Sequence, residues 1–252
     1  MTDMDKKRFC RLCKDDLIMH GTDADGIGTY NEKRLHRILK RYITDDANCY
    51  EIRVDKNIAD ILENGRITEI QTSAFRPLEK KIGSYLNNTD LDITVIRPVI
   101  SEKIIVRADR DTGEVMYSKR SPKHERDIDV LSQMYYLRDF VKNKRLEVKL
   151  LHVSVEEYRY SERMRYRREG AYDKDLRPTA LISETVLCGV ESYRKIIPVS
   201  LWKHEFTAAE FSSVTKLKNR NLSLALAFLT YVGIFERRVD GRRYFYKMIW
   251  EN

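Results

Sequence analysis

No run of apolar residues in this chain approaches the roughly 20 that a membrane-crossing helix requires. No membrane partner is therefore expected. Met1 to Arg11 is charged and lacks the apolar stretch of a secretory signal, which leads to the expectation of a cytoplasmic protein. Cysteine is scarce, with only Cys10, Cys13, Cys49 and Cys188. Cys10 and Cys13 have zinc-ligand spacing, but no second pair follows, and His20 and Cys49 would complete a site only through the fold. The simpler expectation is reduced thiols, with Cys49 and Cys188 packed as small apolar residues. Thr22-Asp-Ala-Asp-Gly26 opens like a calcium loop yet lacks the glutamate such a loop needs at its twelfth position, so a turn is expected there. Acidic residues are outnumbered, 39 against 47 basic ones, and the net charge of +8 favours polyanionic partners.

The hydrophobic content of 42% is enough to build a real core, in one large domain or two modest ones. The most informative stretch is Asn57 to Gln71. Two runs of apolar alternation flank Asn64-Gly65, the strongest short-range signal of a β-hairpin, because both residues tolerate positive φ. A two-residue turn would pair Glu63 with Arg66 and set Asp60 opposite Glu69. Gln71 would share their face, since residues two apart on a strand point the same way. Ala59, Ile61 and Ile70 would form the core face. Facing carboxylates repel, and a bound cation would remove that cost. Alternatively, both acids are solvent-exposed and balanced by Arg53, Lys56 or Arg66.

Before the hairpin, the spacing of Leu35, Ile38, Leu39 and Tyr42 predicts a helix over Asn31 to Ile43, and Tyr50 to Val54 reads as a strand. Glu32, in the first turn of that helix, is either a capping group or an acid aimed beneath the helix. After the hairpin a helix is expected over Ser73 to Leu86. A strand follows over Leu91 to Ile100, interrupted at Arg97-Pro98, reached by a crossover that implies parallel pairing. Strands near Lys103–Ala108 and Glu114–Lys119, a basic loop at Ser118–His124, a helix over Ile128 to Val141 and a strand over Leu146 to Val153 complete this part.

From Glu157 to Arg168 arginines alternate with tyrosines, a composition that holds phosphates and stacks on bases, or else forms a solvated amphipathic face. Residues 156–199 are expected to be a basic connecting segment. Beyond it, Thr207 and Glu210 form a capping-box signature. A second helix is expected over Asn221 to Val232, stopped at Gly233, and a hairpin about Asp240-Gly241.

The order helix, three strands, helix, strand, with Glu32, Asp60 and Glu69-Ile-Gln71, resembles the PD-(D/E)XK nuclease superfamily over residues 28–100. Residues 200–252 resemble a winged helix-turn-helix. The resemblance implies an α/β fold. Its restriction-endonuclease-like core, a mixed sheet flanked by helices, is expected over 28–155, after a lead-in at 1–27, with a winged-helix domain at 200–252. It further implies a metal-dependent DNA endonuclease with Glu32, Asp60, Glu69 and Gln71 as catalytic residues, and Mg2+ or Mn2+ held by Asp60, Glu69 and the Ile70 carbonyl. Gln71 stands where the family's lysine is usual. Lys81 or Lys123 are the candidates to supply that charge or to contact phosphate. Lys216, Lys218, Asn219, Arg220, Asn221 and Ser223 would reach DNA, with Arg237, Arg238, Arg242 and Arg243 on the wing. Paired cutting would require a homodimer. The alternative is a catalytically inactive DNA-binding or regulatory protein that uses the winged-helix domain.

Overall fold

The computed structural model describes residues 1–20, 30–109, 112–161 and 173–250. The turn expected at Thr22–Gly26 and most of the arginine–tyrosine run lie outside the described residues. So do the side chains of residues 20, 30–33, 161 and 173–174.

The fold is mixed α/β, a large sheet with helices on both faces. Two helices come first, α1 (Asp3–His20) and α2 (Tyr30–Ile43), followed by strands β1 (Tyr50–Val54), β2 (Asn57–Glu63) and β3 (Arg66–Ile70). Helix α3 (Leu78–Asn88) leads into β4 (Asp92–Asp109) and β5 (Val115–Arg120). Short helical turns over 127–137 contain α4 (Leu131–Met134), and the sheet ends with β6 (Leu146–Ser161) and β7 (Asp173–Cys188). The sheet order is β1-β2-β3-β4-β6-β7, with β5 on the extension of β4.

The Asn64-Gly65 hairpin forms as its sequence dictates. Both residues have positive φ, 49° and 75°, and Glu63 pairs with Arg66. The crossover through α3 makes β3 and β4 parallel, and β4 is also parallel to β6. Ile93, Thr94, Val95 and Ile96 are all buried, as expected of a central strand covered on both faces. One apolar cluster joins α1 and α2 to the sheet through Phe9, Leu35, Ile38, Leu39, Ile61 and Ile70. Another, on α3 and the helical turns, is built from Ile67, Ile82, Tyr85, Val95 and Leu131.

Several boundaries differ from the sequence expectation. Residues 3–20, expected to be part of a lead-in, form α1, whose Phe9, Leu12 and Cys13 are buried. The helix expected from Ser73 starts at Leu78, after Pro77. Leu91–Ile100 and Lys103–Ala108 are one strand, β4. Pro98 is tolerated inside it because of its place on the edge. The Ile96 carbonyl accepts the Gln71 amide from the β3 side, so the Pro98 nitrogen faces that side too, just past the end of β3. The helix expected over Ile128–Val141 is broken into short turns of tighter and ordinary α pitch. Residues 156–161 and 173–188, expected in a connecting segment, are the end of β6 and the whole of β7, with 156–160 paired to 173–177.

The C-terminal part contains α5 (Gly189–Arg194), β8 (Phe206–Thr207), α6 (Ala208–Thr215), α7 (Asn219–Tyr231), β9 (Phe235–Asp240) and β10 (Arg243–Met248). The Thr207–Glu210 capping box starts α6 as expected. The three strands form a small antiparallel sheet ordered β8-β10-β9. Phe206, Phe211, Phe228 and Phe235 belong to the same apolar cluster as Leu131, Met134 and Leu137, so this unit shares a core with the main sheet.

A buried ionic chain ties α1, α2 and β7 together. Arg34 is fully buried, 3.3 Å from Asp16 and 3.4 Å from Asp175. Asp16 also binds Arg37 at 2.6 Å, and Asp175 binds Arg177 at 2.5 Å. Removing one partner of such a chain leaves charge uncompensated in the interior, at a cost of about 3–5 kcal/mol. Arg34→Met is therefore expected to lower the urea midpoint by that order without changing the slope of the transition. A loss below about 1 kcal/mol, the size of a surface pair, would show the chain to be dispensable.

Candidate functional site

The hairpin turns its two acids away from open solvent, Glu69 to partners on α3 and Asp60 to one on α2. The β2–β3 ladder stops at Ile61–Thr68. Beyond it, the Asp60 carboxylate accepts the Ile70 amide at 2.8 Å. Its other partner is Nε2 of His36 on α2, 3.2 Å away. An ionised carboxylate only accepts, so that nitrogen carries the proton. Glu69 is 2% exposed. Lys81 Nζ lies 2.6 Å from its Oε2, and the Tyr85 hydroxyl donates to its Oε1 at 3.1 Å. Lys81 and Tyr85 are one turn apart on α3, so one face of one helix supplies both partners.

The two carboxyls are driven in opposite directions. Burial acts most on Glu69, Lys81 opposes it and Asp60 adds to it, leaving the Glu69 carboxyl pushed up to about 7. Burial also acts most on Asp60. There the hydrogen bonds from His36 and the Ile70 amide, with the charges of His36 and Lys81, outweigh it and hold the carboxyl below its usual range. Asp60 is thus a fixed anion, while Glu69 titrates near neutrality. Burial and the Glu69 charge push the Tyr85 phenol up, so it remains a donor. Unequal environments for two neighbouring carboxyls are the pattern that assigns acid and base roles in catalytic sites.

The remaining expected site residues divide. Gln71 does not turn to the acids. Its amide nitrogen donates to Ser73 Oγ at 2.7 Å and to the Ala74 carbonyl at 2.9 Å, closing the turn after β3. The cation beside Glu69 is Lys81 of α3. Glu32 lies in the first turn of α2, four residues before His36, and its side chain is outside the described residues. Sequence reading missed His36, Tyr85 and Arg97. The first two had a legible signal, being four residues after Glu32 and Lys81. Arg97 had none: it donates to the carbonyls of Gln71, Thr72 and Ser73, which only the fold brings to it.

The basic residues expected on nucleic acid lie on two surfaces. Lys123 is exposed in the loop after β5. Lys216, Lys218 and Asn219 to Asn221 are exposed at the start of α7, where Arg220 donates to the Tyr136 hydroxyl. Ser223 and Arg237 line an apolar groove of about 560 Å³ with Leu222, Ala227, Tyr231 and Tyr244. Arg238 is held by Glu205 and Asp240, while Arg242 and Arg243 are exposed at the tip of the β9–β10 hairpin.

Asp60 and Glu69 offer hard oxygen donors, the chemistry that suits magnesium or manganese. A buried carboxyl whose ionisation is resisted by its surroundings is also a place where a divalent cation would gain most. Among the described residues, no group of three His, Cys, Asp or Glu side chains is disposed to hold a metal, neither here nor at Cys10 and Cys13. Burial pushes the Cys13 thiol up to about 12, as for a packed apolar residue.

A family model described as "Domain of unknown function (DUF8091)" matches residues 33–188, which include Asp60, Glu69, Lys81 and the whole main sheet from β1 to β7. No curated protein and no solved structure matches the chain.

The raised Glu69 carboxyl has a signed consequence for stability. Between its unfolded value of 4.5 and about 7 the folded state binds more protons than the unfolded state. Stability from this group is therefore lost as pH rises through that window and levels off above it. Glu69→Gln removes the titration, so the stability of the variant relative to the native protein should improve from pH 4.5 to 7. Denaturant titrations across that range test this, and a difference that stays constant or reverses would contradict the assigned shift.

Proposed function

The chain belongs to that family of unknown function, and we propose that it is a metal-dependent DNA endonuclease of the PD-(D/E)XK type. One observation carries the reading: a buried Glu69, held by Lys81 and Tyr85, stands beside an ionised Asp60 at the end of the hairpin. The element order from α2 to β4, with its mixed sheet and parallel crossover, agrees with what the resemblance implies.

Hydrolysis of a phosphodiester needs an attacking water and neutralisation of charge gathering on the phosphate. When bound by Asp60, Glu69 and the Ile70 carbonyl, a magnesium or manganese ion would acidify that water and polarise a phosphoryl oxygen. The chain's own groups do the rest. His36 and the Ile70 amide keep Asp60 ionised and oriented. Tyr85 fixes the Glu69 carboxyl by its second oxygen. Lys81 brings a positive charge that can turn from Glu69 to a phosphate oxygen, the role the family usually gives to the lysine two residues after the acid. Gln71 shapes the turn rather than the chemistry.

A second reading, a non-catalytic DNA-binding regulator, draws on the C-terminal unit. Its order of strand, helix, helix and hairpin resembles a winged helix, with Arg237, Arg242 and Arg243 exposed on the hairpin. That reading requires salt-dependent binding without cleavage, lost on removing residues 200–252.

Incubation of plasmid or linear DNA with the purified protein and manganese separates the two. Cleavage is expected, and Asp60→Ala, Glu69→Ala and Lys81→Met should each reduce it about 100-fold or more. Gln71→Ala should retain most of it. Cleavage that persists in the acid variants or in excess chelator, or that depends on Gln71 more than on Lys81, would sink the proposal.

A further inference from the structure

One edge of β4 places a second, basic corner in line with the candidate centre. Strand β6 pairs with β4 along its length, from Ile93 to Asp109, so β3 and β5 must both lie on the opposite edge. There β3 pairs with residues 92–96 and β5 with residues 104–108. Between them the edge is filled in order. The Ile96 carbonyl takes the Gln71 amide, Pro98 offers no N–H, Ile100 exchanges hydrogen bonds with Glu125, and the Lys103 carbonyl takes the Ser121 amide. Arg97 spans this gap, binding the carbonyls of the turn after β3 and reaching Glu125 at 3.7 Å. The loop after β5 is thus fixed beside the loop that follows Glu69. From Val95, opposite Glu69, to Ile104, opposite Arg120, is nine residues, about 30 Å at roughly 3.3 Å per extended residue.

That corner is charged and open. All six residues of β5 are exposed; Lys119 and Arg120 end the strand, and Lys123 is exposed in the loop that follows. Arg120 meets Glu102 at 2.9 Å with both side chains largely in solvent, a pair that phosphate can compete for. Lys119 and Lys123 form no ion pair among the described residues. Tyr117, the aromatic of β5, is covered by the Arg107 guanidinium at 5.6 Å, so the strand presents charge rather than a free stacking surface.

We infer that Lys119, Arg120 and Lys123 grip the phosphate backbone of duplex DNA and set its path across the gap toward Glu69 and Lys81. This rests on the nuclease reading for its direction, but the grip itself is measurable without cleavage. The spacing along β4 corresponds to about nine base-pair rises at roughly 3.4 Å each, so the gripped phosphates lie most of a helical turn from the reacting one. Binding to phosphates alone carries no sequence information, so this corner sets position and affinity rather than base preference.

The test is binding of a short fluorescein-labelled duplex of arbitrary sequence, by anisotropy, in chelator and over a series of salt concentrations. The native protein should bind with a steep salt dependence. Lys119→Ala/Arg120→Ala/Lys123→Ala should lower the slope of log affinity against log salt by about 2–3, roughly one for each phosphate no longer neutralised. Added to Arg237→Ala/Arg242→Ala/Arg243→Ala, on the C-terminal hairpin, the same substitutions should lower the slope by about 2–3 more. If the triple variant fails to fold by circular dichroism, Lys123→Ala alone should lower the slope by about 1. An unchanged slope in the β5 variants, a reduction confined to the C-terminal variant, or no salt-dependent binding by the native protein would each overturn the inference. Preferred binding of a single strand or of RNA would overturn the choice of duplex DNA. Glu69→Gln that binds normally but does not cut supports both readings. A β5 variant with the native slope in a protein that still cuts DNA defeats only this one.

Discussion

A buried carboxylate requires a partner, and the way Glu69 finds its partners organises the first half of this molecule. The Asn64-Gly65 turn fixes the register that places Glu69 on the α3 side of the sheet. The crossover through α3 then delivers Lys81 and Tyr85 to its two oxygens. The same crossover forces β4 to run parallel to β3 and to be buried on both faces. Without Lys81, Glu69 would have to remain protonated or be turned out of the core. The arrangement is therefore self-consistent only as a set: hairpin, helix, lysine and acid.

Asp60 is handled differently, and the contrast gives the site its chemical character. It sits where the β2–β3 ladder ends, so the backbone amide of Ile70 is available to its side chain. His36 reaches it from the helix on the other side of the sheet. Two carboxyls in reach of one another, one firmly ionised and one near neutrality, are costly in a purely structural role. They are the natural setting for a cation or a proton transfer. The long ionic chain from Asp16 through Arg34 to Asp175 serves another purpose. It fixes α1 and α2 against β7, and through α2 it fixes the helix that carries His36.

Much of this was legible in the sequence, for identifiable reasons. The hairpin, its register, the crossover and the capped α6 are written in local signals: Asn-Gly, alternation, a Thr–Glu box. The acids were singled out because the turn sets which residues face each other, although the ladder ends at Ile61–Thr68, one step short of them. Other features depend on long-range packing that no local pattern records. Glu69 reads as one of two surface acids until α3 is laid over it. Gln71 stands where the resemblance leads one to expect a lysine, but it is drawn into a turn by Ser73 and Ala74. Residues 156–161 look like part of a polar connection because half of their side chains are charged, yet their backbone pairs with β7 and Glu157 is met by Lys103 of β4. Cys13 reads as half of a metal site, and its burial within α1 makes it core instead.

The most direct measurement is anomalous scattering from a crystal soaked in manganese. The account places the ion between the carboxylates of Asp60 and Glu69, with Lys81 displaced from Glu69 Oε2 toward the position of a phosphate. An ion bound elsewhere, or a soaked crystal in which Lys81 still bridges Glu69 and no ion lies beside Asp60, would contradict it.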